Sequence, residues 1–413
     1  MPCPHRALWR SGELEEAQNT FTSGGRVWHN DKVIQRAYWL RAIEEAWMRR
    51  PIVWLWGLPG TGKTFLANSM THALVFDCAR PEVQERLSEP VSFFSALQGL
   101  RVILDHIHHL KDPNALIARA IKYFPEIKIL AVASIPPTGG SKAGDDLAGK
   151  RGVIHLMPMT LGDLDAFGVL SLETRLLHGG LPSRFTGQGI SDRFKTEWMA
   201  RFWDGGPAAR YGIRRRIAFE ALFNYMWAHS PVFEDLQTAA TVCGIAPETA
   251  GRYIRAMVSA GLIIALKPYA AGVSAQSGGR ARLYAFDVGF AAHARGWSHP
   301  GTGQWAVLWK HCVLNELASA CQGRGLHYWR GRRGHEVDFV LTRKRGEPTA
   351  VMCAWPSESF DPAPLKAFRR RYPKGHSWVV SPDILLPFHR AIGRFDATFT
   401  NLEGLARELE AGA

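Results

Sequence analysis

The sequence predicts an α/β chain with a mostly parallel sheet covered on both faces, on three observations. A glycine-rich loop, Trp56-Gly57-Leu58-Pro59-Gly60-Thr61-Gly62-Lys63-Thr64, joins a short apolar run, Ile52 to Trp56, to a helical stretch from Phe65 to Met70. A second apolar run, Arg101 to Asp105, closes on a carboxylate. Two more, Ile127 to Ser134 and Val153 to Leu156, alternate with helical segments at the spacing that parallel strands and their crossovers require.

Gly57, four intervening residues and then Gly62-Lys63-Thr64 spell a phosphate-binding loop. Glycines let the backbone turn tightly enough for several amides to face one anion, and the following helix adds the positive end of its dipole. On that chemistry Gly57, Pro59, Gly60, Thr61, Gly62, Lys63, Thr64 and Phe65 are the expected binding residues for ATP. Lys63 reaches the outer phosphates and the Thr64 hydroxyl ligates Mg²⁺. Asp105 stands at the carboxyl end of its strand, where such sheets bind ligands, and completes the metal pair. Ser134 either orients the attacking water, senses the γ-phosphate, or only turns the chain. Ahead of the loop, Val33, Ala37, Leu40, Ile43, Ala46 and Trp47 recur at helical spacing and predict a helix from Asp31 to Arg49, stopped by Pro51. Leu74 to Asp77 is a further strand.

A chain of 413 residues with 46% hydrophobic content has room for two or three folded domains. Fifty Lys and Arg against 37 Asp and Glu give a formal net charge of +13, a field that attracts polyanions. DNA is therefore a candidate partner, with free nucleotide or an acidic protein as alternatives. The six cysteines include no C-x-x-C pair, so neither a zinc site nor a disulfide framework is encoded, and a reducing compartment fits. No run approaches the ~18 apolar residues that span a bilayer, and none resembles a signal peptide. A cytoplasmic protein without membrane partners is expected, opened by an arm over residues 1–26 that Pro2, Pro4, Gly12, Gly24 and Gly25 interrupt.

The order of phosphate loop, helix, strand ending in Asp105, strand ending in Ser134, then Leu147-Ala148-Gly149-Lys150-Arg151 before a further strand and Pro158, resembles an archaeal-type group of prokaryotic AAA-superfamily ATPases. The resemblance implies a P-loop AAA-type core over 27–160, a helical lid over 161–230, a winged helix over 231–270, and over 280–413 a C-terminal α/β domain similar to restriction endonucleases. The passage from Leu156 through Thr160 and Leu164 to Gly179-Gly180-Leu181-Pro182 resembles the group's step into the lid. It also implies a homo-oligomer, with Arg151 reaching nucleotide in cis or from a neighbouring subunit, unless it is an ordinary surface arginine. One departure matters for chemistry. The group follows its Walker B aspartate with a glutamate that polarises water, whereas this chain has His106, a weaker anionic orienter, so slow hydrolysis or binding without turnover is expected. His108 and His109 make the stretch look like a metal cluster, but strand alternation would disperse these side chains.

Leu236 to Val258 reads as a helix-turn-helix: Ala240 permits close approach, Gly244 makes the turn, and Pro247 opens the second helix. If it meets DNA, Thr249, Arg252, Tyr253 and Arg255 lie on the probing helix; otherwise it is a packing module. In the last domain, Glu336-Val337-Asp338-Phe339-Val340 resembles the first metal-binding strand of the nucleases. The strand that would carry Glu-x-Lys instead has Met352 and Ala354, Lys310 falls near the place of an acidic ligand, and Glu336 is expected to face away from Asp338. A degenerate, nuclease-inactive domain follows. Arg330, Arg332, Arg333, Arg343, Lys344, Arg345 and Arg369 to Arg371, interleaved with Tyr328 and Trp329, suit a phosphate backbone or are simply solvated. The expected function is an ATP-binding AAA-type ATPase that acts on or grips DNA as an oligomeric motor or remodeller. The alternatives are a nucleotide-gated DNA- or protein-binding switch with little hydrolysis, and an ATPase serving a protein partner.

Overall fold

The computed structural model describes residues 25–26, 36–137, 147, 149–166, 171–185, 189–206, 210–270, 279–342 and 347–411. Most of the N-terminal arm, Asp31, Val33, Ala148, and Arg343 to Arg345 lie outside them. Two compact units divide the chain: Met1–Gly57 with Gly62–Ile154, and Leu58–Thr61 with His155–Ala413.

The first unit is built on a six-stranded sheet in the order β1-β3-β4-β5-β2-β6, with β1 at Gly25–Arg26, β2 at Ile52–Trp56, β3 at Ala73–Asp77, β4 at Arg101–Asp105, β5 at Lys128–Ala133 and β6 at Arg151–His155. Strands β3, β4, β5 and β2 pair in parallel. Their interior residues are buried on both faces, which is why Ile52-Val53-Trp54-Leu55 and Ile129-Leu130-Ala131-Val132 read as unbroken apolar runs rather than alternating ones. Gly25 and Arg26, expected in the arm, instead form an edge strand antiparallel to β3. Helix α1 (Ala37–Arg49) buries Trp39, Ile43 and Trp47, a four-residue spacing that puts all three on one face of the helix. It ends where Pro51 disfavours a helical residue before it, and the Trp47 indole donates to the Ile129 carbonyl at 3.2 Å. Helix α2 (Lys63–Asn68) follows the glycine-rich loop; α3 (Pro81–Leu87) and α4 (Pro90–Ser95) cross from β3 to β4, and α5 (Pro113–Tyr123) from β4 to β5. Asp112 caps α5 by accepting from the Ala115 amide at 3.0 Å.

The second unit begins with α6 (Leu161–Ala166), α7 (Leu172–His178), α8 (Pro182–Phe185), α9 (Asp192–Asp204) and α10 (Arg216–Ala228). One core of this unit gathers Trp198, Phe202, Phe219, Phe223 and Trp227 with Leu58 and Leu181. Residues Leu58–Thr61 are held there because the Trp198 indole donates to the Pro59 carbonyl at 2.7 Å. Strand β7 (Val232–Phe233) precedes helices α11 (Leu236–Cys243) and α12 (Pro247–Ser259). These join through Gly244, whose left-handed φ of +59° glycine adopts most readily. Strands β8 (Ile263–Pro268) and β9 (Arg282–Ala285) pair antiparallel, with β7 beside β9.

Beyond lie α13 (Val288–Ala294), α14 (Thr302–Cys321), β10 (Leu326–Arg330), β11 (Glu336–Thr342), β12 (Pro348–Cys353), α15 (Pro362–Arg371), β13 (Ser377–Val380), β14 (Phe388–Ala391), β15 (Asp396–Thr400) and α16 (Leu402–Ala411). The sheet runs β14-β15-β13-β12-β11-β10-β8-β9-β7. Because β8 pairs in parallel with β10, the segments expected as separate modules over 231–270 and 280–413 share one sheet. The Gly179-Gly180 pair has a steric cause: the buried Asp287 carboxylate accepts from the Gly180 amide at 2.7 Å, and a Cβ on Gly179 would stand 2.0 Å from it.

Candidate nucleotide-binding site

The loop between β2 and α2 is shaped by Gly60 and Gly62, with φ of +82° and +89°, a region that only glycine enters without strain. The Gly57 amide donates to the Ala133 carbonyl at 3.3 Å and so continues the β2/β5 ladder. Its N–H is thereby spent in the sheet. The Thr61 amide and hydroxyl both donate to the Leu58 carbonyl, at 3.3 and 2.9 Å, closing the loop on itself. Thr64 and Phe65 are exposed at the start of α2, whose first amides have no helical acceptor. Pro59 brings no amide hydrogen.

Lys63 is buried, and loss of hydration pulls its ammonium down to about 8 while Asp105 pulls the other way. Asp105 is itself buried at the end of β4, its carboxylate accepting the His106 amide at 2.9 Å. His106 takes a left-handed backbone, φ +52°, which swings the imidazole sideways. Its Nδ1 lies 3.0 Å from Asp77 Oδ1 and 3.7 Å from Asp105 Oδ2. Asp77 ends β3 in register with Asp105 and also accepts the Ala79 amide at 3.0 Å. Sequence reasoning placed Asp77 on a strand and gave it no role; the available signal was two neighbouring strands that both close on an acid. Cys78 follows it, buried, with a thiol that burial pushes well up and keeps unreactive.

The histidines after Asp105 are not dispersed by strand alternation. Ile107–His109 is a 3-10 turn, and the His108 and His109 rings approach to 4.6 Å between centroids. Even so, no cluster of three or more metal-ligating side chains occurs among the described residues. Ser134 lies just past β5, its amide donating to His108 Nδ1 at 3.4 Å. Arg151 is not gathered into this group. Its carbonyl accepts from the Arg50 guanidinium at 3.0 Å, at the end of the sheet where β2 begins, while the loop follows the end where β2 finishes. The guanidinium is buried 5.8 Å from the Trp54 ring and 3.4 Å from Asn114 Oδ1. That packing gives Arg151 a structural place, not the exposed position an arginine reaching into a neighbouring subunit needs.

The second unit corrects three further expectations. Tyr253 is buried with its hydroxyl accepting the Arg215 amide at 3.2 Å, leaving Arg252 and Arg255 as the exposed cations of α12, with Thr249 half-buried. Glu336 and Asp338 do not face apart. Two residues apart on β11, they share a face, and both act on Arg282. Each already holds a cation: Lys310 Nζ is 2.6 Å from Asp338, and Arg282 and Arg330 are 3.2 and 3.3 Å from Glu336. Tyr328 and Arg369 are likewise interior. Tyr328 donates to the Arg280 carbonyl at 2.7 Å, and Arg369 is saturated by the carbonyls of Pro348, Tyr372, Lys374 and His376. Met352 and Ala354 are both buried.

Comparison with known proteins agrees with the loop's chemistry. Residues 49–164 match the sequence model of a family described as an AAA domain. Uncharacterised proteins of Mycobacterium bovis and Mycobacterium tuberculosis are each 25% identical over 330 residues, spanning 75% of this chain and 71% of theirs. Among solved structures, the Walker-type ATPase PABY2304 of Pyrococcus abyssi is 14% identical, covering 65% of this chain and 97% of that one at a TM-score of 0.43. AMPPCP-bound DnaA from Aquifex aeolicus is 15% identical, covering 54% and 87% at 0.28. No described helix is long and apolar enough to cross a membrane. With the family match, the parallel sheet and the loop geometry in hand, residues 49–164 are an AAA-type P-loop ATPase domain.

Proposed function

We propose that the chain binds and slowly hydrolyses ATP at the 57–64 loop and uses nucleotide occupancy to govern its hold on nucleic acid. The observation that supports this most directly is Lys63, a buried ammonium kept at the mouth of α2 opposite a buried Asp105 at the cost of its own hydration. Burying a cation costs stability, and a bound polyphosphate relieves that cost. Lys63 holds the outer phosphates, and the amides of Gly60, Gly62 and Thr64 line the loop around them. The donor set fits Mg²⁺, since the exposed Thr64 hydroxyl and the Asp105 carboxylate are hard oxygen ligands. When bound there, the ion neutralises charge on the phosphates.

His106 takes the part of the missing glutamate. Asp77 holds its Nδ1, so that the ring's Nε2 is the atom left to receive a proton from water; Ser134 steadies the adjoining turn through His108. Helices α11 and α12 with strands β8 and β9 act as a winged helix that presents Arg252 and Arg255 to duplex phosphates, and subunits associate as homo-oligomers. The sheet from β10 to β15 serves as a nuclease-like scaffold without cleavage. Lys310 on Asp338 supports that reading by filling with an ammonium the place where a metal would be needed.

The test is turnover and equilibrium binding of Mg-ATP by the full chain, with and without DNA. A DNA-stimulated rate lost in Lys63→Ala supports a motor. Tight binding without turnover, restored to turnover by His106→Glu, supports the switch. No affinity for any Mg-nucleotide in the unaltered chain sinks both. Metal-dependent DNA cleavage abolished by Asp338→Ala would show the last domain to be an active nuclease.

A further inference from the structure

The arginines that sequence alone left as either a phosphate grip or solvated surface are sorted by the fold into two kinds. Arg369, first of the run that ends α15, turns inward and anchors the helix end on four backbone carbonyls. That anchoring leaves Arg370 and Arg371 exposed. They line one wall of an open cleft of about 580 Å³ within the second unit, and Arg332 and Arg333 of the β10–β11 turn line another. Among the described residues that line it there is no Asp or Glu. Among the described residues no carboxylate pairs with these four arginines, whereas Arg330 at the cleft edge is tied to Glu336.

Aromatic rings line the cleft as well. Tyr269, at the end of β8, and Tyr372, after α15, line the cleft with ring centroids 4.9 Å apart, and Phe368 backs Tyr372, also at 4.9 Å. Like charges that line one cleft repel one another, and a bound polyanion relieves that repulsion. Arginine guanidinium is the side chain suited to phosphate, and a half-buried tyrosine offers a face to a base.

We infer that this cleft binds a single-stranded nucleic acid segment, seating an unpaired base against Tyr269 and Tyr372 while the two arginine pairs hold its flanking phosphates. The inference deepens the nucleic-acid part of the proposed function and is separate from duplex contact by Arg252 and Arg255. The volume matches one small ligand or nucleotide. Bases stacked within a duplex cannot present a face to a side chain, so a concave aromatic cleft selects the unpaired strand. DNA and RNA strands share this chemistry, and the comparison of the two below decides between them.

The experiment is fluorescence anisotropy with the full chain on labelled dT20, U20 and a 20-base-pair DNA duplex, across a salt series, with Mg-ATP affinity measured on the same samples. At least one single strand is expected to bind about tenfold or more tighter than duplex, and the ratio of dT20 to U20 assigns the sugar. Arg332→Glu with Arg333→Glu is expected to weaken single-strand binding about a hundredfold and to flatten the salt slope. Tyr372→Leu is expected to weaken it about tenfold with the slope unchanged. Arg370→Ala with Arg371→Ala, on an exposed helix end, serves as a second charge variant. All are expected to keep their Mg-ATP affinity. Unchanged single-strand affinity in the arginine variants, or duplex bound as tightly as single strand, overturns the inference. Binding lost only in Arg252→Ala with Arg255→Ala overturns it while leaving a DNA-binding ATPase standing; loss of Mg-ATP affinity in the unaltered chain fails the ATPase reading instead.

Discussion

A lysine whose ammonium is buried and pulled down to about 8 is expensive to keep charged. Because its folded value lies below the unfolded 10.5, the cost is complete below about pH 8 and fades as pH rises towards 10.5. At neutral pH it is on the order of 3 kcal/mol. Lys63→Met keeps the stem and discards the charge. It is expected to abolish Mg-ATP binding and at the same time raise the denaturant midpoint of the nucleotide-free protein, which equilibrium unfolding reads directly. The neighbouring Asp77 carries a second expectation. With its carboxylate gone the His106 ring loses its Nδ1 partner at 3.0 Å, so Asp77→Ala should lower kcat about tenfold and leave the nucleotide Kd unchanged. His106→Glu added to that variant should recover the rate. At this scale the places of the glycine-rich loop and of Lys63, Thr64 and Asp105 at the ends of their strands and helix were legible in the sequence, because glycine spacing and apolar runs mark those ends. The Asp77–His106 pair was not, because it depends on two strands lying in register and on a left-handed residue after β4. Arg151 misled for the same reason: a motif position says nothing of whether the guanidinium ends on Trp54 or in solvent.

Among elements, the apolar runs of β2, β4 and β5 located the parallel sheet closely, since strands buried on both faces cannot hide in composition. The edge strand β1 escaped notice because two residues pairing through backbone bonds leave no side-chain pattern. The junction of β9, α14 and the turn before β7 shows how a polar group fastens such elements. His311 Nδ1 donates to the Val307 carbonyl at 3.0 Å, which makes Nε2 the acceptor of the Ser230 hydroxyl at 2.8 Å. Ser230 in turn accepts the Ala285 amide at 2.7 Å. Burial pulls the imidazole down to about 4. The folded value lies below the unfolded 6.5, so the unfolded chain takes up a proton first and stability falls as pH drops from 6.5 to 4. The loss is on the order of 3 kcal/mol. His311→Gln is expected to be less stable at pH 7 but to show a shallower decline over that interval, measured by thermal unfolding across pH.

At the scale of the whole chain, the resemblance implied separate modules over 231–270 and 280–413, with the glycine-rich stretch from Ala270 to Gly279 between them. The pairing of β8 with β10 shows instead one sheet on either side of it. Composition reports where backbone is permissive, whereas strand pairing across a gap is set by hydrogen bonds that no local pattern encodes. The consequence is practical as well as mechanical. Cutting the gene after Ala270 would strip β8 from both β10 and β9, and β7 from β9, leaving raw strand margins on both halves, each a template for unintended self-pairing. Both halves are expected to precipitate when expressed apart and to give soluble protein when co-expressed, as size-exclusion chromatography would reveal. An evolving lineage could likewise not exchange its helix-turn-helix segment for another without re-tailoring the sheet margin it completes.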